Sequence, residues 1–186
     1  MRKLKVQVQM SIDGFIGGPN GEMDWVLFNW SDDLKDHVSK LTDSIDTILL
    51  GRKLAEGFIP YWTTAFESDS PTEGADIFVQ TPKIVFTKTL DDCPWENTTL
   101  NKGDLQQEIT SLKQRDGKDM MAYGGASFLA SLLKHQLIDE LHLFVNPIAI
   151  GKGLPIFHQL QQNQHYTLIQ ANSFHCGIVA LTYQSS

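Results

Sequence analysis

The chain has 186 residues, of which 41% are hydrophobic and 20% are charged. These values are typical of a single globular domain, and we predict one domain over residues 1–186. The formal net charge of −7 argues against a nucleic-acid-binding surface. Two cysteines outside any CxxC arrangement predict a reducing compartment. The start lacks the apolar core of a signal peptide, and no apolar run is long enough to span a bilayer, so we expect a cytoplasmic protein without membrane contact.

Strand and helix patterns alternate through the first half of the chain. In chain order, the predicted elements are a strand over 4–10, a glycine-rich loop over 11–25, a helix from Ser31 whose apolar face ends at Ile45, a strand over 47–50, a short helix after Gly51 and an irregular polar loop over 60–82. Ser31 suits the helix N-cap, and Asp32 and Asp33 suit the positive end of the helix dipole.

The second half continues the alternation and then changes to paired strands. The predicted elements are a strand over 83–87, a helix from Asp104, a strand over 120–122, the glycine pair Gly124-Gly125 leading into a helix, a strand over 141–145, and two strands near 166–170 and 177–183. Gln107 occupies the capping-box position of the Asp104 helix. The pattern predicts an α/β fold with a mostly parallel central sheet, covered on both faces and ending in an antiparallel edge.

Three predicted strand ends carry groups that can hold an anion. These groups are Gly51-Arg52-Lys53, Thr87-Lys88 and Gly124-Gly125, the last with Ser127 close behind. Ligands of open α/β sheets bind beyond the carboxyl ends of the strands, where a helix N-terminus presents free N–H groups. Taken singly, each glycine fits a steric turn and each cation fits a solvated surface. Taken together, the three strand ends favour a site for a phosphate-bearing cofactor.

The sequence also offers candidates for an acid–base group. Asp13 suits a turn and Asp32 suits the first turn of a helix, whereas Asp33 directly precedes the apolar face that Leu34 begins. Asp33 could therefore border a pocket and supply a proton while a hydride arrives from the other side. The six histidines show no HExxH and no clustered ligand spacing, so we predict no metal site.

The ordered motifs resemble the dihydrofolate reductase-like fold, and most closely its branch with the reductase domain of riboflavin biosynthesis and many stand-alone bacterial proteins. The segments that carry the resemblance span nearly the whole chain, and they are SIDGFIGGPNGEMDW, ILLGRK, KIVFTKTL, YGGASFLASLL and LIDELHLFVNPIAIGKGLPIF. The resemblance implies a three-layer α/β/α fold and an enzyme, an NADPH-dependent oxidoreductase. It also implies a homodimer that acts on a small-molecule substrate.

The resemblance further implies roles for individual residues. The cofactor-binding residues would be Val8, Gln9, Ile16, Gly17, Gly51, Arg52, Lys53, Thr87, Lys88, Gly124, Gly125, Ala126, Ser127 and Phe128. Met23 and Trp25 match the mobile loop that closes over the nicotinamide ring and would contact the substrate. Asp33 matches the acidic position on the first helix, and Thr87-Lys88 matches the segment that holds the 2′-phosphate.

Two differences from the usual sequence of the family keep several functions open. Leu54 stands where a threonine usually contacts phosphate, and the loop reads Met-Asp-Trp where many dihydrofolate reductases have Met-Pro-Trp. We rank reduction of a riboflavin precursor, 5-amino-6-(5-phosphoribosylamino)uracil or a similar heterocycle, first. The alternatives are a dihydrofolate reductase, a stand-alone reductase of another pterin-like substrate, and a non-catalytic nucleotide-binding protein of the same fold.

Overall fold

A computed structural model describes residues 1–185 of the chain as one mixed α/β structure. Its strands are β1 (Leu4–Ser11), β2 (Ile45–Gly51), β3 (Lys83–Phe86), β4 (Thr98–Asn101), β5 (Asp119–Ala122), β6 (Glu140–Asn146), β7 (Tyr166–Ser173) and β8 (Val179–Ser185). Its helices are α1 (Asp32–Thr42), α2 (Arg52–Glu67), α3 (Ala75–Gln80), α4 (Leu105–Gln114) and α5 (Ala126–Lys134). Within residues 1–185, no helix combines the length and the apolar character needed to cross a bilayer.

All eight strands form one sheet in the order β4-β3-β2-β5-β1-β6-β8-β7. The first six strands of this order run parallel, and β8 pairs antiparallel with both β6 and β7. Strand β1 lies in the middle, with Val6 opposite Ala122 of β5 and Leu141 of β6. The predicted mostly parallel sheet with an antiparallel carboxyl-terminal edge is therefore confirmed. Because the parallel strands share a direction, their carboxyl ends meet at one edge.

Helices cover both faces of the sheet, which confirms the three-layer architecture. On one face, apolar residues of β1 and β5 pack against Ile109 and Leu112 of α4 and Leu129 of α5. On the other face, Leu34 of α1 and Ile59 of α2 pack with residues of β2, β6 and β8. Each layer buries one apolar stripe of its helices, as expected for parallel strands joined by helices.

Strand β1 is buried on both faces although its sequence alternates between apolar and polar residues. Lys5 and Gln7 point towards the α1 side and are only 8% and 6% exposed. Lys5 Nζ lies 2.9 Å from Asp119 Oδ2. Beside them on β6, Glu140 and His142 form a hydrogen bond of 3.3 Å. The sheet surface on the α1 side thus carries a stripe of buried polar side chains, and on the opposite surface the side chains of β1 are apolar.

Three expectations for individual elements, on the helix after Gly51, the loop 60–82 and Ile45, are wrong, and one strand was missed. The helix after Gly51 is not short but runs 16 residues with Pro60 inside it, and α3 occupies part of the predicted loop 60–82. Strand β4 lies in a stretch for which no element was predicted. Ile45 begins β2 and does not belong to the face of α1, which ends at Thr42.

Packing of aromatic rings explains the long helix α2. Proline and glycine inside a helix lower its intrinsic stability, so local propensity argues against a helix through residues 57–60. In the structure, Phe58 and Trp62 project from consecutive turns onto Phe78 of α3, with ring centroids 5.4 and 4.2 Å apart respectively. Burial of these rings offsets the unfavourable local propensity.

The two predicted helix starts behave differently. Asp104 caps α4, because its side chain accepts a hydrogen bond from the backbone N–H of Gln107 at 3.1 Å. Ser31 occupies the N-cap position of α1 with an extended backbone, as predicted, but its hydroxyl makes no cap hydrogen bond. It accepts instead from the N–H of Cys176, in the turn between β7 and β8, at 3.2 Å. Ser31 therefore joins α1 to the antiparallel end of the sheet.

Candidate functional site

The three segments predicted to hold an anion lie on neighbouring strands at the same edge of the sheet. Gly51 ends β2, Thr87 directly follows β3, and Gly124 comes two residues after β5. Because β3, β2 and β5 are consecutive in the sheet, these strand ends stand side by side. Two helices begin at this edge, α2 directly after Gly51 and α5 directly after Gly125.

The starts of α2 and α5 are in direct contact. The N–H of Gly51 donates a hydrogen bond to the carbonyl of Gly124 at 3.2 Å. A Cβ atom at Gly51 would lie 2.7 Å from Cβ of Phe128, closer than side chains approach. The ring of Phe128 in turn stacks on Phe86 at 5.2 Å. A glycine at position 51 is therefore required by the close approach of α5.

The glycine pair shapes the start of α5. Gly124 has φ = +138°, which disfavours any residue with a side chain, and a cis peptide bond joins it to Gly125. Gly125 is the N-cap of α5 and has ordinary extended angles. A Cβ atom there would meet only Cβ of Leu54, at 3.8 Å. The outer side of Gly125 is thus open enough to accept either a methyl group or a ligand.

Both helix starts lack a side-chain cap. Neither Gly51 nor Gly125 can offer one, and within residues 1–185 the hydroxyl of Ser127 has no hydrogen-bond partner. The N–H groups of each first turn carry part of the positive end of a helix dipole. Two uncapped helix starts are thus joined through Gly51 and Gly124, and the free N–H groups of such starts suit a pyrophosphate.

The neighbouring cations are partly engaged within the protein. Arg52 Nη1 lies 2.6 Å from Glu56 Oε1. Lys88 Nζ donates to the carbonyls of Lys102 and Gly103 at 2.5 and 2.7 Å, so it fastens the loop after β3 to the loop after β4. Lys53 is exposed and forms no ion pair within residues 1–185. The edge therefore carries three positive charges, and one of them has no internal partner.

Thr87 and Leu54 have structural contacts at this edge. The Thr87 hydroxyl accepts hydrogen bonds from the N–H groups of Thr89 and Leu90, both at 3.1 Å, and the residue is buried. Leu54 projects from α2 over the glycine pair; its Cδ2 would lie 3.3 Å from a Cβ at Gly124. Leu54 therefore provides an apolar cover for the pair where a threonine would provide a donor.

The predicted nicotinamide-pocket residues divide into core and surface positions. Val8 is 3% exposed and packs in the core. Gln9, on the same strand, accepts a hydrogen bond from Asn146 Nδ2 at 2.9 Å. Ile16 and Gly17 exchange backbone hydrogen bonds with Leu154 at 3.0 and 2.9 Å, which holds the first part of the glycine-rich loop against the segment after β6.

The loop that contains Met23 and Trp25 is anchored through a residue that sequence reasoning missed. Asn146, fully buried at the end of β6, accepts a hydrogen bond from the N–H of Leu27 at 3.0 Å while it donates to Gln9. Met23 is 38% exposed, and the Trp25 indole donates to the Glu22 carbonyl at 3.0 Å. An asparagine at a predicted strand end was the only sequence signal for this link.

Asp33 faces the turn between β7 and β8. Its Oδ2 accepts from the backbone N–H of His175 at 3.1 Å and lies 2.8 Å from His175 Nδ1. The Ser31 hydroxyl and these His175 groups hold the pKa of Asp33 below its ordinary value. Near neutral pH Asp33 is therefore a carboxylate that accepts hydrogen bonds. Its role as a proton donor stays a prediction, and His175 is a partner that the sequence did not reveal.

Two buried polar atoms on the α1–α3 side have no hydrogen-bond partner within residues 1–185: the Tyr123 hydroxyl and His37 Nε2. Tyr123 immediately precedes the glycine pair, and its ring stacks on Phe58 at 5.7 Å. Burial raises the pKa of Tyr123 and lowers that of His37. Neither residue was expected to be functional. In the same range, no group of histidine, cysteine or acidic residues is arranged to hold a metal ion.

The sequence matches the family model described as the RibD C-terminal domain over residues 2–180. It is 30% identical over 182 residues to the uncharacterized protein YyaP of Bacillus subtilis, covering 98% of this chain and 94% of YyaP. It is 28% identical over 159 residues to YwjB of the same organism, covering 86% of this chain and 84% of YwjB.

Solved structures share the fold at lower sequence identity. A putative riboflavin biosynthesis protein from Shewanella sp. PV-4 superposes with a TM-score of 0.76 at 24% identity and covers 99% of both chains. A diaminohydroxyphosphoribosylaminopyrimidine deaminase/5-amino-6-(5-phosphoribosylamino)uracil reductase from Thermotoga maritima superposes with a TM-score of 0.70 at 18% identity, and the match covers 100% of this chain and 57% of that one. These similarities show that the chain has the dihydrofolate reductase-like fold of riboflavin-type reductases.

Proposed function

Because the chain belongs to the RibD C-terminal domain family, we propose that it is an NADPH-dependent reductase of the riboflavin-biosynthesis type, acting on a small heterocyclic substrate. The observation that carries the proposal is the junction of α2 and α5 at the carboxyl edge. There the Gly51 N–H meets the Gly124 carbonyl, and two helix starts without a side-chain cap lie at the same edge. Free N–H groups at a helix start suit the phosphates of a dinucleotide.

The residues at the edge fit the parts of NADPH. Gly125 leaves space beside Leu54 that a side chain would otherwise fill, so a phosphate can approach the first N–H groups of α5. The Ser127 hydroxyl can add a donor there. Lys88, two strands away at the end of β3, supplies the positive charge that would favour a 2′-phosphate and hence NADPH over NADH. When bound, NADPH supplies the hydride that reduces a C=N or carbonyl carbon.

The protein's part in the reaction includes the delivery of a proton to the reduced group. Asp33 is ionised near neutral pH, because its hydrogen bonds lower its pKa. A carboxylate in this state can orient a water molecule that gives up the proton, and the hydroxide left behind takes a proton from the solvent. His175, held 2.8 Å from Asp33 Oδ2, fixes the direction of that carboxylate. In this proposal Asp33 acts through water, and His175 positions it.

A non-catalytic nucleotide-binding protein is the second candidate. Leu54 favours it, because an apolar side chain stands over the glycine pair where a hydroxyl would help to bind phosphate. Such a protein would bind NADPH without oxidising it. Incubation of the protein with NADPH and either dihydrofolate or 5-amino-6-(5-phosphoribosylamino)uracil, with absorbance followed at the nicotinamide band, separates the candidates. Oxidation that depends on the uracil compound supports the first candidate.

Cofactor preference tests the site itself. Titration of the protein with NADPH and NADH, monitored by tryptophan fluorescence, should show tighter binding of NADPH. Lys88→Ala should weaken the binding of NADPH by about tenfold or more and leave the binding of NADH nearly unchanged, since a charged hydrogen bond contributes about 1.5–3 kcal/mol. Lys88→Arg keeps the charge and should keep most of the preference. Lys134→Ala, which removes an exposed cation at the other end of α5, is the matched control. Equally weak binding of both nucleotides would refute the proposed function.

We also propose that the chain forms a homodimer through strand β7. This strand lies at the edge of the sheet, and its sequence YTLIQANS contains no charged residue or proline; the one feature that interrupts it is a register shift between Leu168 and Gln170. Leu168 and Ile169 are 52% and 56% exposed. Two antiparallel copies of β7 would pair about a two-fold axis and bury these side chains. Light scattering should then give twice the monomer mass, and Ile169→Lys should give the monomer; a wild-type monomer would refute the proposal.

A further inference from the structure

A cavity opens at the amino ends of the strands, at the opposite edge of the sheet from the glycine pair. It has a volume of about 450 Å³ and lies between the starts of β2, β3 and β4 and the end of α4. The residues that line it are Arg2, Thr47, Pro82, Lys83, Ile84, Asn97, Thr98, Thr99, Leu112 and Arg115. The volume is in the range of pockets for small molecules. Thr47 and Gly51 lie four residues apart along β2, so about 13 Å of strand separates the two edges.

The wall of this cavity is basic in an acidic protein. It includes two arginines and a lysine, and no aspartate or glutamate lines it. Lys83 Nζ donates to three carbonyls at the end of α3, each at 2.9 Å, so its donors are fully used. Asp46, which does not line the cavity, forms an ion pair with Arg2.

Arg2 is held rigidly and still has donors to offer. It is only 8% exposed. Its Nη2 donates to Asp46 and to the Thr47 hydroxyl at 2.7 Å, and its Nε donates to the Lys118 carbonyl at 2.5 Å. Gly117 covers the guanidinium, since a Cβ there would lie 3.4 Å from Arg2 Cζ. Within residues 1–185, Nη1 makes no hydrogen bond, and Arg2 is one of the residues that line the cavity.

Arg115 completes the basic end of the cavity. It follows α4 as the C-cap residue, is exposed, and forms no ion pair or side-chain hydrogen bond within residues 1–185. Asp46 offsets the charge of Arg2, whereas Arg115 adds a positive charge that no ion pair offsets within residues 1–185. Next to the two arginines, the ring of Pro82 and the side chain of Ile84 form an apolar wall, and Leu112 lies buried behind them.

We propose that this cavity is a second ligand site, which binds a small aromatic oxyanion between Arg2 and Arg115 with its planar body against Pro82 and Ile84. The guanidinium forks suit a carboxylate or phosphate, and the apolar wall suits a ring. The fixed orientation of Arg2 means that binding orders few side chains, which lowers its entropic cost. This site is independent of the proposed reductase function, because none of its residues lies at the carboxyl edge.

The test is a titration of the ¹⁵N-labelled protein with phenyl phosphate, followed by two-dimensional NMR. Inorganic phosphate serves as the ion without a ring, and phenol as the ring without an ion. We expect saturable shifts for amides in 82–84, 97–99 and 112–115, and no shifts in 51–54 and 124–128. Phenyl phosphate should bind at least about tenfold more tightly than either fragment, since both the charge and the apolar wall contribute.

Two variants decide whether the arginines bind the probe. Arg115→Gln should weaken the binding of phenyl phosphate by about tenfold or more. Lys134→Gln, which removes an exposed cation from the end of another helix, should leave the affinity for phenyl phosphate unchanged. Arg115 has no partner to lose, so its variant should fold like the wild type. Any of three results would overturn the proposal. These are the absence of saturable shifts, shifts confined to the amides of 51–54 and 124–128, and equal affinity of Arg115→Gln and the wild type for phenyl phosphate.

Discussion

The glycines at the two helix starts should respond to alanine in opposite ways. At Gly51 a Cβ would lie 2.7 Å from Cβ of Phe128, so α5 or β2 must shift to admit a methyl group. Overpacking of this kind costs about 1–3 kcal/mol. At Gly125 the new Cβ would touch only Leu54 Cβ, at 3.8 Å, with a backbone that any residue adopts. Gly125→Ala should therefore change the free energy of unfolding by less than about 0.5 kcal/mol.

These energies translate into a clear difference in thermal stability. A domain of this size loses about 2–4 °C in Tm for each kcal/mol. Gly51→Ala should therefore lower Tm by about 2–12 °C, while Gly125→Ala should stay within about 2 °C of wild type. Thermal unfolding followed by circular dichroism measures both values without any ligand.

NADPH binding should be weakened by Gly125→Ala even though this substitution hardly changes stability. The methyl group of Gly125→Ala would occupy the open side of the glycine pair and keep a phosphate from the first N–H groups of α5. Loss of one charged hydrogen bond corresponds to about 10- to 100-fold weaker NADPH binding. Fluorescence titration of folded Gly125→Ala measures this loss. A variant that binds NADPH like wild type, or that unfolds as early as Gly51→Ala, would refute this view of the edge.

Three further substitutions test other parts of the structure. The hydrogen bond from His142, together with Lys3, lowers the pKa of Glu140 from 4.5 to about 2. About 3 kcal/mol of stability should therefore be present above pH 5 and lost as the pH falls towards 2. In acid denaturation curves, Glu140→Gln should reduce this loss. Tyr123→Phe removes a buried hydroxyl without a partner and should raise the free energy of unfolding in urea by about 1 kcal/mol. Asp104→Ala removes the cap of α4 and should lower that free energy by about 1 kcal/mol.

The sequence predicts the edge of the sheet well because that edge depends on local patterns. Alternating apolar runs locate most strands, and the residues that follow them, such as Gly51 and Thr87, are carried to one edge by the parallel topology alone. The glycine pair likewise needs no long-range information, since a strand followed by two glycines and a helical pattern specifies the turn. These features follow from periodicity and from the handedness of strand–helix–strand connections.

The parts that sequence reasoning missed depend on contacts between distant segments. Helix α2 continues through Pro60 because aromatic rings from α3 and the end of β5 cover it. Asp33 and His175 lie 142 positions apart, and their hydrogen bond exists only because β7 and β8 fold back beside α1. Asn146 and Arg115 are ordinary polar residues in the sequence. Their surroundings distinguish them, and those surroundings come from the tertiary structure.

The polar stripe beneath α1 bears on how the molecule opens. Helix α5 covers apolar side chains, so lifting it from the sheet would expose a large hydrophobic surface to water. Helix α1 buries Leu34 and Leu41 but also lies on the face that carries Lys5, Gln7 and His142, which water can solvate, so its detachment should cost less free energy. Amide hydrogen exchange should therefore be faster in α1 than in α5. Local opening of α1 would carry Asp33 and the preceding loop away from the sheet together. This opening would give a small molecule a route to the sheet while the carboxyl edge, with Gly51 and Gly124, stays folded.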